Sequence, residues 1–227
     1  MQSARPIHAG VYLGLALAIK PVVWLVLPLL LLRKQWRTVG AALAVLFVAY
    51  AVALLAIGPS QLTLYLTQVL PAVNAMYASS DRNLSLAGLI DFHDPTAAGV
   101  VLSYAARLLL VGVAWVALRS CWRIETWLGI GICVSLLINP ITWDNYLLLT
   151  LLPIVQVGAN LIRRALSWRE RAIAGLAAAL TSFPLGLWMD SIPYAWSTVQ
   201  AGFTMALLLL TWLVVRTDVT PESSYAE

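Results

Sequence analysis

A polar stretch between two long apolar runs is the part of this chain whose residues are best suited to chemistry. It reads Asn139-Pro140-Ile141-Thr142-Trp143-Asp144-Asn145-Tyr146, and the apolar runs beside it carry no charged side chain. We expect it to break a membrane-spanning hairpin where water begins, which places Asp144 at a membrane surface. A carboxylate there can accept a proton or a hydrogen bond from a hydroxyl group. The alternative is a capped turn in which Trp143 and Tyr146 only anchor the hairpin at the headgroup level.

Two basic residues, Lys20 and Arg107, interrupt apolar runs near the middle of their predicted helices. A charge at the centre of a bilayer costs roughly 2.5–3.5 kcal/mol on insertion scales, so each should face a partner, a water-filled cavity or an anionic ligand. No Asp or Glu occurs at that depth in the predicted helices, which favours an anion from outside the chain. Pro21 directly follows Lys20 and predicts a break in the helix. Alternatively, either side chain reaches the interface along its own stem.

The composition is that of a membrane protein with several spans. Hydrophobic residues make up 61% of the 227 and charged residues 11%, and the mean hydropathy is +0.86; together these values exclude an ordinary soluble domain. The formal charge of +4 lies in short loops, where it sets topology, and forms no basic patch for nucleic acid. Cys121 and Cys133 show no spacing that indicates a disulfide framework or a zinc site.

The hydropathy pattern predicts an all-α fold, a polytopic membrane bundle of about seven transmembrane helices. The predicted helices span 9–32, 38–57, 97–118, 126–142, 146–162, 172–189 and 196–215. The loop 58–95 is expected to carry a short helix in the membrane interface, because its apolar residues recur at helical spacing. We expect 1–216 to form a single transmembrane domain and 217–227 to form a polar tail.

Basic residues alternate between the predicted loops, which gives an expected orientation. The loops after the first, third and fifth helices carry the basic clusters, whereas the opposite loops carry Asp81, Asp91, Asp94, Asp144 and Asp190. By the positive-inside rule the basic loops and the C-terminus are cytoplasmic, and the aspartate-bearing loops lie outside. We therefore expect a multi-pass protein of the inner, or plasma, membrane.

Three segments together resemble a known family of enzymes. Gly14-Leu15-Ala16-Leu17-Ala18-Ile19-Lys20-Pro21, followed by Arg33-Lys34-Gln35-Trp36-Arg37, is similar to a GLxLAxxxKP … RRRW helix. Asn83-Leu84-Ser85-Leu86-Ala87-Gly88 resembles an outer-loop NQSLxG segment, and the hairpin 139–146 resembles SPISWDHY. These segments are typical of polyprenol-phosphate-sugar-dependent glycosyltransferases of the GT-C superfamily. The chain most resembles family 87, the bacterial mannosyl- and arabinofuranosyltransferase-like group.

The resemblance implies transfer of a hexose or pentose, such as mannose, from a polyprenyl phosphate to a glycolipid or glycan acceptor at the outer face of the membrane. This is a reaction of cell-envelope biosynthesis. Lys20 and Arg107 are then expected to bind the lipid phosphate, and Asp144 is the candidate catalytic base. The other candidate substrate-binding residues lie in the two outer motifs and are Asn83, Ser85, Trp143, Asn145 and Tyr146. No metal or cofactor is expected, and the implied partners are membrane lipids, the donor and the acceptor, with no nucleic acid.

The sequence also departs from the family pattern. Leu84 stands where the family usually has Gln, and Asn145 where it usually has His, so a proton-shuttling role at that position is lost. No segment matches the first outer loop, in which the family usually carries its acidic base. We therefore expect this chain to be the carboxyl-terminal portion of a longer GT-C fold, with a separately encoded amino-terminal half as a possible partner. Two alternatives remain, a transporter of an anion or lipid-linked substrate, and a catalytically inactive membrane remnant.

Overall fold

The computed structural model of the chain describes residues 6–78, 80, 83–93, 96–119, 121, 123–142, 144–163, 167–182 and 195–218. Helices make up most of this part of the chain, and no strand occurs in it. The chain divides into two compact units, Met1–Tyr77 and Ala78–Glu227. The single domain expected over 1–216 stays a prediction.

The helices of the first unit follow one another with short breaks. They are α1 (Pro6–Ile19), a 3-10 turn (Pro21–Val23), α2 (Val26–Leu32), α3 (Trp36–Ile57), α4 (Pro59–Leu64), a π-helical turn (Tyr65–Val69) and α5 (Leu70–Ala78). The break predicted at Lys20 is confirmed, because its backbone is extended, with φ −151° and ψ 99°. The residue before a proline is disfavoured in the helical region, so the span expected over 9–32 is two helices.

The loop expected over 58–95 contains more helix than its sequence predicts. Gly58, with φ +81°, makes the sharp turn that ends α3, and an L side chain is strained in that region. From there the chain is helical through α4, the π-helical turn and α5 as far as Ala78. The helix expected in this loop is therefore present and longer than predicted. Its location in the membrane interface stays a prediction.

Helices α1 and α3 pack closely because of two glycines spaced four residues apart. A Cβ added to Gly10 would lie 2.7 Å from the Ala41 Cβ, and one added to Gly14 would lie 2.7 Å from the Ala42 carbonyl oxygen. Real side chains do not tolerate such distances. This is a small-xxx-small interface, which lets two helix backbones approach within a membrane.

The helices of the second unit correspond to the later predicted spans, except α6, which lies in the loop predicted over 58–95. They are α6 (Leu86–His93), α7 (Ala97–Arg119), α8 (Ile124–Ile138), a 3-10 segment (Asp144–Thr150), α9 (Leu151–Arg163), α10 (Trp168–Ser182) and α11 (Ala195–Asp218). The span predicted over 126–142 ends earlier, at Ile138. Asn139 has extended backbone (ψ 139°) because it precedes Pro140. The part of the predicted span 172–189 beyond Ser182, and the tail from 219, lie outside the described residues.

Several helices meet the requirements for crossing a membrane. Within the described ranges, three are long and apolar enough, Trp36–Ile57, Ala97–Arg119 and Val199–Arg216. Shorter apolar helices cover Pro6–Ile19, Ile124–Ile138 and Leu148–Asn160. The prediction of an all-α membrane helix bundle is confirmed.

Helix α8 lies at the centre of the second unit. Its side chains are buried from Thr126 to Leu137, apart from the partly exposed Leu128, as expected for a helix that is hydrophobic on all sides. It contacts α6, α7, α9 and α11. Helix α8 is therefore held by four neighbouring helices, and the polar stretch follows directly after it.

Helix α10 begins with a capping box, formed by Ser167 and Glu170. The Glu170 N–H donates to Ser167 Oγ at 3.4 Å, and the Ser167 N–H donates to Glu170 Oε2 at 3.0 Å. Arg216, near the end of α11, lies 3.7 Å from the Glu170 carboxylate. These hydrogen bonds from Ser167, helped by the Arg216 charge, hold the pKa of Glu170 below its ordinary value.

Candidate active site

The stretch after α8 folds back onto the end of that helix. The Thr142 hydroxyl donates to the Leu136 carbonyl at 2.6 Å, which satisfies one of the helix's terminal acceptors. The Asn139 side-chain amide donates to the Ile141 carbonyl. Residues 139–142 therefore form a compact turn in which Thr142 is fully buried.

Asn83, which belongs to the outer-loop segment 83–88, bonds this turn. Its side-chain Nδ2 donates to the Pro140 carbonyl at 2.8 Å. Its Oδ1 accepts the backbone N–H of Thr142 at 2.9 Å and that of Ser85 at 3.2 Å. Asn83 is fully buried, so these bonds satisfy an amide that would otherwise be costly to remove from water.

The backbone beside Asn83 strengthens the same junction. The Leu84 N–H donates to the Thr142 carbonyl at 2.7 Å. The Ser85 hydroxyl accepts the Gly88 N–H at 3.0 Å and so caps the first turn of α6. Gly88 packs directly on Asn83, because a Cβ there would lie 2.6 Å from the Asn83 Cγ. Only glycine fits at this position.

Gln200 connects the junction to α11. Its Nε2 donates to the carbonyls of Asn83 at 3.0 Å and Ser80 at 3.1 Å. Gln200 is fully buried. Three separated parts of the chain, the segment 80–88, the turn 139–142 and helix α11, are therefore held together by side-chain amides and backbone groups. We call this set of contacts the Asn83 junction.

The Asn83 junction holds the backbone as far as Thr142, two residues before the candidate catalytic residue. Asp144 is the second residue after Thr142 and begins the 3-10 segment. The structure describes the backbone of Asp144 and Asn145, but their side chains and all of Trp143 lie outside the described residues. Tyr146 is partly exposed. The roles predicted for these four residues stay predictions.

Asn83 and Ser85 were predicted to contact substrate, and the structure places both inside the protein. Each is fully buried, and each side chain bonds backbone groups. The structure thus gives them a positioning role at the Asn83 junction. Their contact with substrate stays a prediction.

Lys20 and Arg107 lie in different units of the chain. Lys20 is exposed at the break after α1. Arg107 is half-buried on α7, where its Nη2 donates to the Ser103 hydroxyl at 3.0 Å. Its guanidinium lies 5.1 Å from the Tyr104 ring centroid, a cation–π distance. Neighbours within one turn of α7 therefore orient the Arg107 side chain.

Comparison with known families decides the relationship suggested by the motifs. The model of glycosyltransferase family 87 matches residues 1–140, which is more than half of the chain. The chain belongs to glycosyltransferase family 87. This family 87 member is therefore a membrane protein of a glycosyltransferase family, and the predicted resemblance to family 87 is confirmed. The segments 14–37 and 83–88 lie within the match, whereas the hairpin 139–146 lies almost entirely beyond its end. Searches of curated proteins and of solved structures found no match.

Two contributions to the site were not predicted from sequence. Gln200 was included in an apolar span, although an isolated carboxamide in such a span is itself a signal for an interhelical contact. Thr142, which lies in the polar stretch 139–146, is a backbone partner of Asn83 and Leu84. Within the described ranges, no group of three or more His, Cys, Asp or Glu side chains lies close enough to hold a metal.

Proposed function

We propose that this family 87 protein transfers a hexose or pentose, such as mannose, from a polyprenyl phosphate to a glycolipid or glycan acceptor at the outer face of the inner membrane. The observation that carries the proposal is the Asn83 junction. It joins the two motifs that resemble the family's outer segments through buried hydrogen bonds of 2.8 and 2.9 Å. In the proposed orientation, the C-terminus is cytoplasmic and the junction faces outward.

The chemistry proposed at this site is a displacement at the anomeric carbon. The acceptor hydroxyl oxygen forms a bond to that carbon, the bond from the carbon to the phosphate oxygen breaks, and polyprenyl phosphate leaves with the electron pair. Asp144 takes the proton of the acceptor hydroxyl as general base. Asn145 and Tyr146 orient sugar or acceptor hydroxyls, and Trp143 stacks on the apolar face of the sugar.

The leaving phosphate needs positive charge, and Lys20 and Arg107 are the proposed sources. Guanidinium and ammonium groups form charge-assisted hydrogen bonds with phosphate oxygens. Lys20 is exposed where the helix is broken, and Arg107 is oriented by Ser103 and Tyr104. Each residue is proposed separately as a phosphate contact, and each is to be tested by its own alanine variant.

The experiment that tests the proposal is sugar transfer by the full chain in liposomes that contain radiolabelled polyprenyl-phosphate mannose and a lipid acceptor. We expect Asp144→Asn to lower kcat by about 10²–10⁴-fold with little change in KM, the range for loss of a general base. Asp190→Asn, at another aspartate of the predicted outer loops, is the matched control and should keep wild-type turnover. Full activity of Asp144→Asn would exclude Asp144 as the base.

The same assay separates the alternatives. Movement of the labelled donor across the bilayer without formation of a glycosylated product would indicate a transporter. Failure of the wild-type chain to transfer any of several sugars, although it is folded and inserted, would indicate an inactive protein. Unchanged donor affinity in both Lys20→Ala and Arg107→Ala would refute the phosphate contacts.

A further inference from the structure

We propose that the turn between α2 and α3 binds one anionic glycerophospholipid. We call residues 33–37, which link the two helices and include the first two residues of α3, the basic turn. In the proposed complex Lys34 and Arg37 contact the lipid phosphate, and an acyl chain lies along α3. The basic turn belongs to the first unit alone, and its binding of lipid is independent of the sugar transfer proposed above.

The first unit carries positive charge and no carboxylate side chain. Residues 1–80 contain no Asp or Glu, and all ten acidic residues of the chain lie after them. The basic turn has three cations, of which Lys34 and Arg37 are exposed. Within the part of the chain that the structure describes, the side chains of Lys34 and Arg37 make no ion pair or hydrogen bond. Charge complementarity therefore favours an anion from outside the chain as their partner.

The backbone of Lys34 has a conformation that glycine adopts at lower cost. Helix α2 ends in a Schellman motif, in which the Lys34 N–H donates to the Leu31 carbonyl at 2.9 Å and the Gln35 N–H to the Leu30 carbonyl at 3.0 Å. Lys34 has φ +57°, in the left-handed region where this motif usually has Gly. The chain thus carries a cation at a position where its fold favours glycine, which points to a role for the charge.

The basic turn lies at the start of a membrane span. The candidate span of α3 is Trp36–Ile57, and Trp36 is 62% exposed, as is typical of tryptophan at the headgroup level. One face of α3 presents four exposed residues at helical spacing, Trp36, Gly40, Leu43 and Phe47. A Cβ added to Gly40 would meet nothing within 4 Å. The open space over Gly40, between Trp36 and Phe47, can receive an acyl chain.

A headgroup with net negative charge fits this surface better than a zwitterionic one. Each Lys or Arg near the headgroups strengthens binding to anionic lipid by a factor of about five. The first unit has no carboxylate that could hold the choline or ammonium group of a zwitterionic lipid. Phosphatidylglycerol, which has a phosphate and no cation, is therefore the lipid class that suits Lys34 and Arg37.

The test is lipid retention by the full chain, measured by native mass spectrometry. Purified protein is incubated with phosphatidylglycerol and phosphatidylcholine of identical acyl chains at equal concentration. We expect the wild type to retain phosphatidylglycerol about 25-fold over phosphatidylcholine, because two cations contribute about fivefold each. Equal retention of the two lipids would overturn the proposal. Displacement of phosphatidylglycerol by inorganic phosphate or by polyprenyl phosphate at the same concentration would also overturn it, because the basic turn would then hold a free anion or the sugar carrier.

Lys34→Gly separates the effect of the charge from the effect on the fold. Glycine relieves the left-handed backbone at this position, so the variant should melt at a temperature no lower than that of wild type. It should nevertheless lose about fivefold of the preference for phosphatidylglycerol. An unchanged preference in Lys34→Gly would refute the contact with the headgroup.

Arg37→Gln should lower the same preference by about fivefold, and Arg119→Gln is its matched control. Arg119 is an exposed cation at the end of another candidate span, Ala97–Arg119, and lies 5.6 Å from the Trp115 ring centroid. Its replacement should leave the preference at the wild-type value. An equal loss in Arg119→Gln would attribute the preference to general surface charge and refute a site at the basic turn.

Gly40→Leu tests the place of the acyl chain without a change in charge. The leucine side chain fills the open space over Gly40, so the variant should lower the retention of both phosphatidylglycerol and phosphatidylcholine. Retention of both lipids at the wild-type level would exclude the acyl chain from this face of α3 and contradict the proposed complex.

Discussion

The Asn83 side chain accepts the backbone N–H of Thr142 at 2.9 Å, and both residues are fully buried. The carbonyl of the same Thr142 accepts the Leu84 N–H at 2.7 Å. Both backbone polar groups of Thr142 are therefore held by the segment that precedes α6. The backbone two residues before the candidate base Asp144 is therefore held by an asparagine that is distant in sequence.

The first prediction concerns removal of the Asn83 amide. Asn83→Ala leaves the Pro140 carbonyl and the N–H groups of Thr142 and Ser85 without their side-chain partner in a buried place. Each of these three losses costs about 1–3 kcal/mol, so we expect the free energy of unfolding to fall by at least about 3 kcal/mol. Reversible unfolding in mixed micelles measures this free energy of unfolding.

Asn74→Ala is the matched control for this change. Asn74 lies on α5 and is partly exposed, so its replacement should change the free energy of unfolding by less than about 0.5 kcal/mol. A loss in Asn83→Ala no larger than in the control would show that the Asn83 junction contributes nothing to stability.

The second prediction uses two glycines with different surroundings. Gly88→Ala places a methyl group 2.6 Å from the Asn83 Cγ, and overpacking of this kind costs about 1–3 kcal/mol. Gly112→Ala, on α7, meets nothing within 4 Å and should be neutral or stabilising by up to about 1 kcal/mol. Thermal unfolding in detergent distinguishes the two variants. Equal melting temperatures of the two variants would contradict the close contact between α6 and Asn83.

The broad features of this fold were predictable because they depend on local sequence. The break at Lys20 follows from Pro21 alone, and the end of α8 is shifted from 142 to Ile138 by Pro140. Helical membrane spans follow from the length of the apolar runs. Apart from the additional helix in 58–95, the errors lie at helix ends, where one proline outweighs the hydropathy of its neighbours.

The interior of the candidate site was not predictable in the same way. Asn83 lies in a polar segment, and the same local pattern fits an amide turned toward substrate or one turned inward. The bond from Gln200 to the Asn83 carbonyl joins residues 117 positions apart, and no periodicity signals such a pair. The buried face of this segment is decided by packing against α11 and the 139–142 turn.

The third prediction concerns the packing of α1 on α3. Gly10→Leu or Gly14→Leu cannot be accommodated without separating the helices, since even a Cβ would lie 2.7 Å from an α3 atom. We expect either variant to lose at least about 3 kcal/mol of unfolding free energy, the upper range for overpacking. Gly40→Leu, on α3, meets nothing within 4 Å and is the matched control. Wild-type stability of Gly14→Leu would contradict the close α1–α3 contact.

The fourth prediction is a pH dependence set by Glu170. Its pKa is lower in the folded protein than its ordinary value, because Ser167 donates to the carboxylate and Arg216 lies nearby. A carboxyl with a lowered folded pKa contributes stability above its unfolded pKa, and that contribution is lost as the pH falls through the folded pKa. Wild type should therefore unfold at a higher temperature than Glu170→Gln at neutral pH, and the difference should disappear in acid.

A double-mutant cycle with Ser167→Ala separates the capping box from the Arg216 charge. If the Ser167 hydroxyl is the main cause of the lowered pKa, the effect of Glu170→Gln at neutral pH should shrink in the Ser167→Ala background. High salt should reduce only the part due to Arg216, since salt screens exposed ion pairs. Helix α10 starts at this capping box, and Arg216 of α11 contacts Glu170. If the difference between wild type and Glu170→Gln did not change with pH, the carboxylate charge would have no part in holding these two helix ends together.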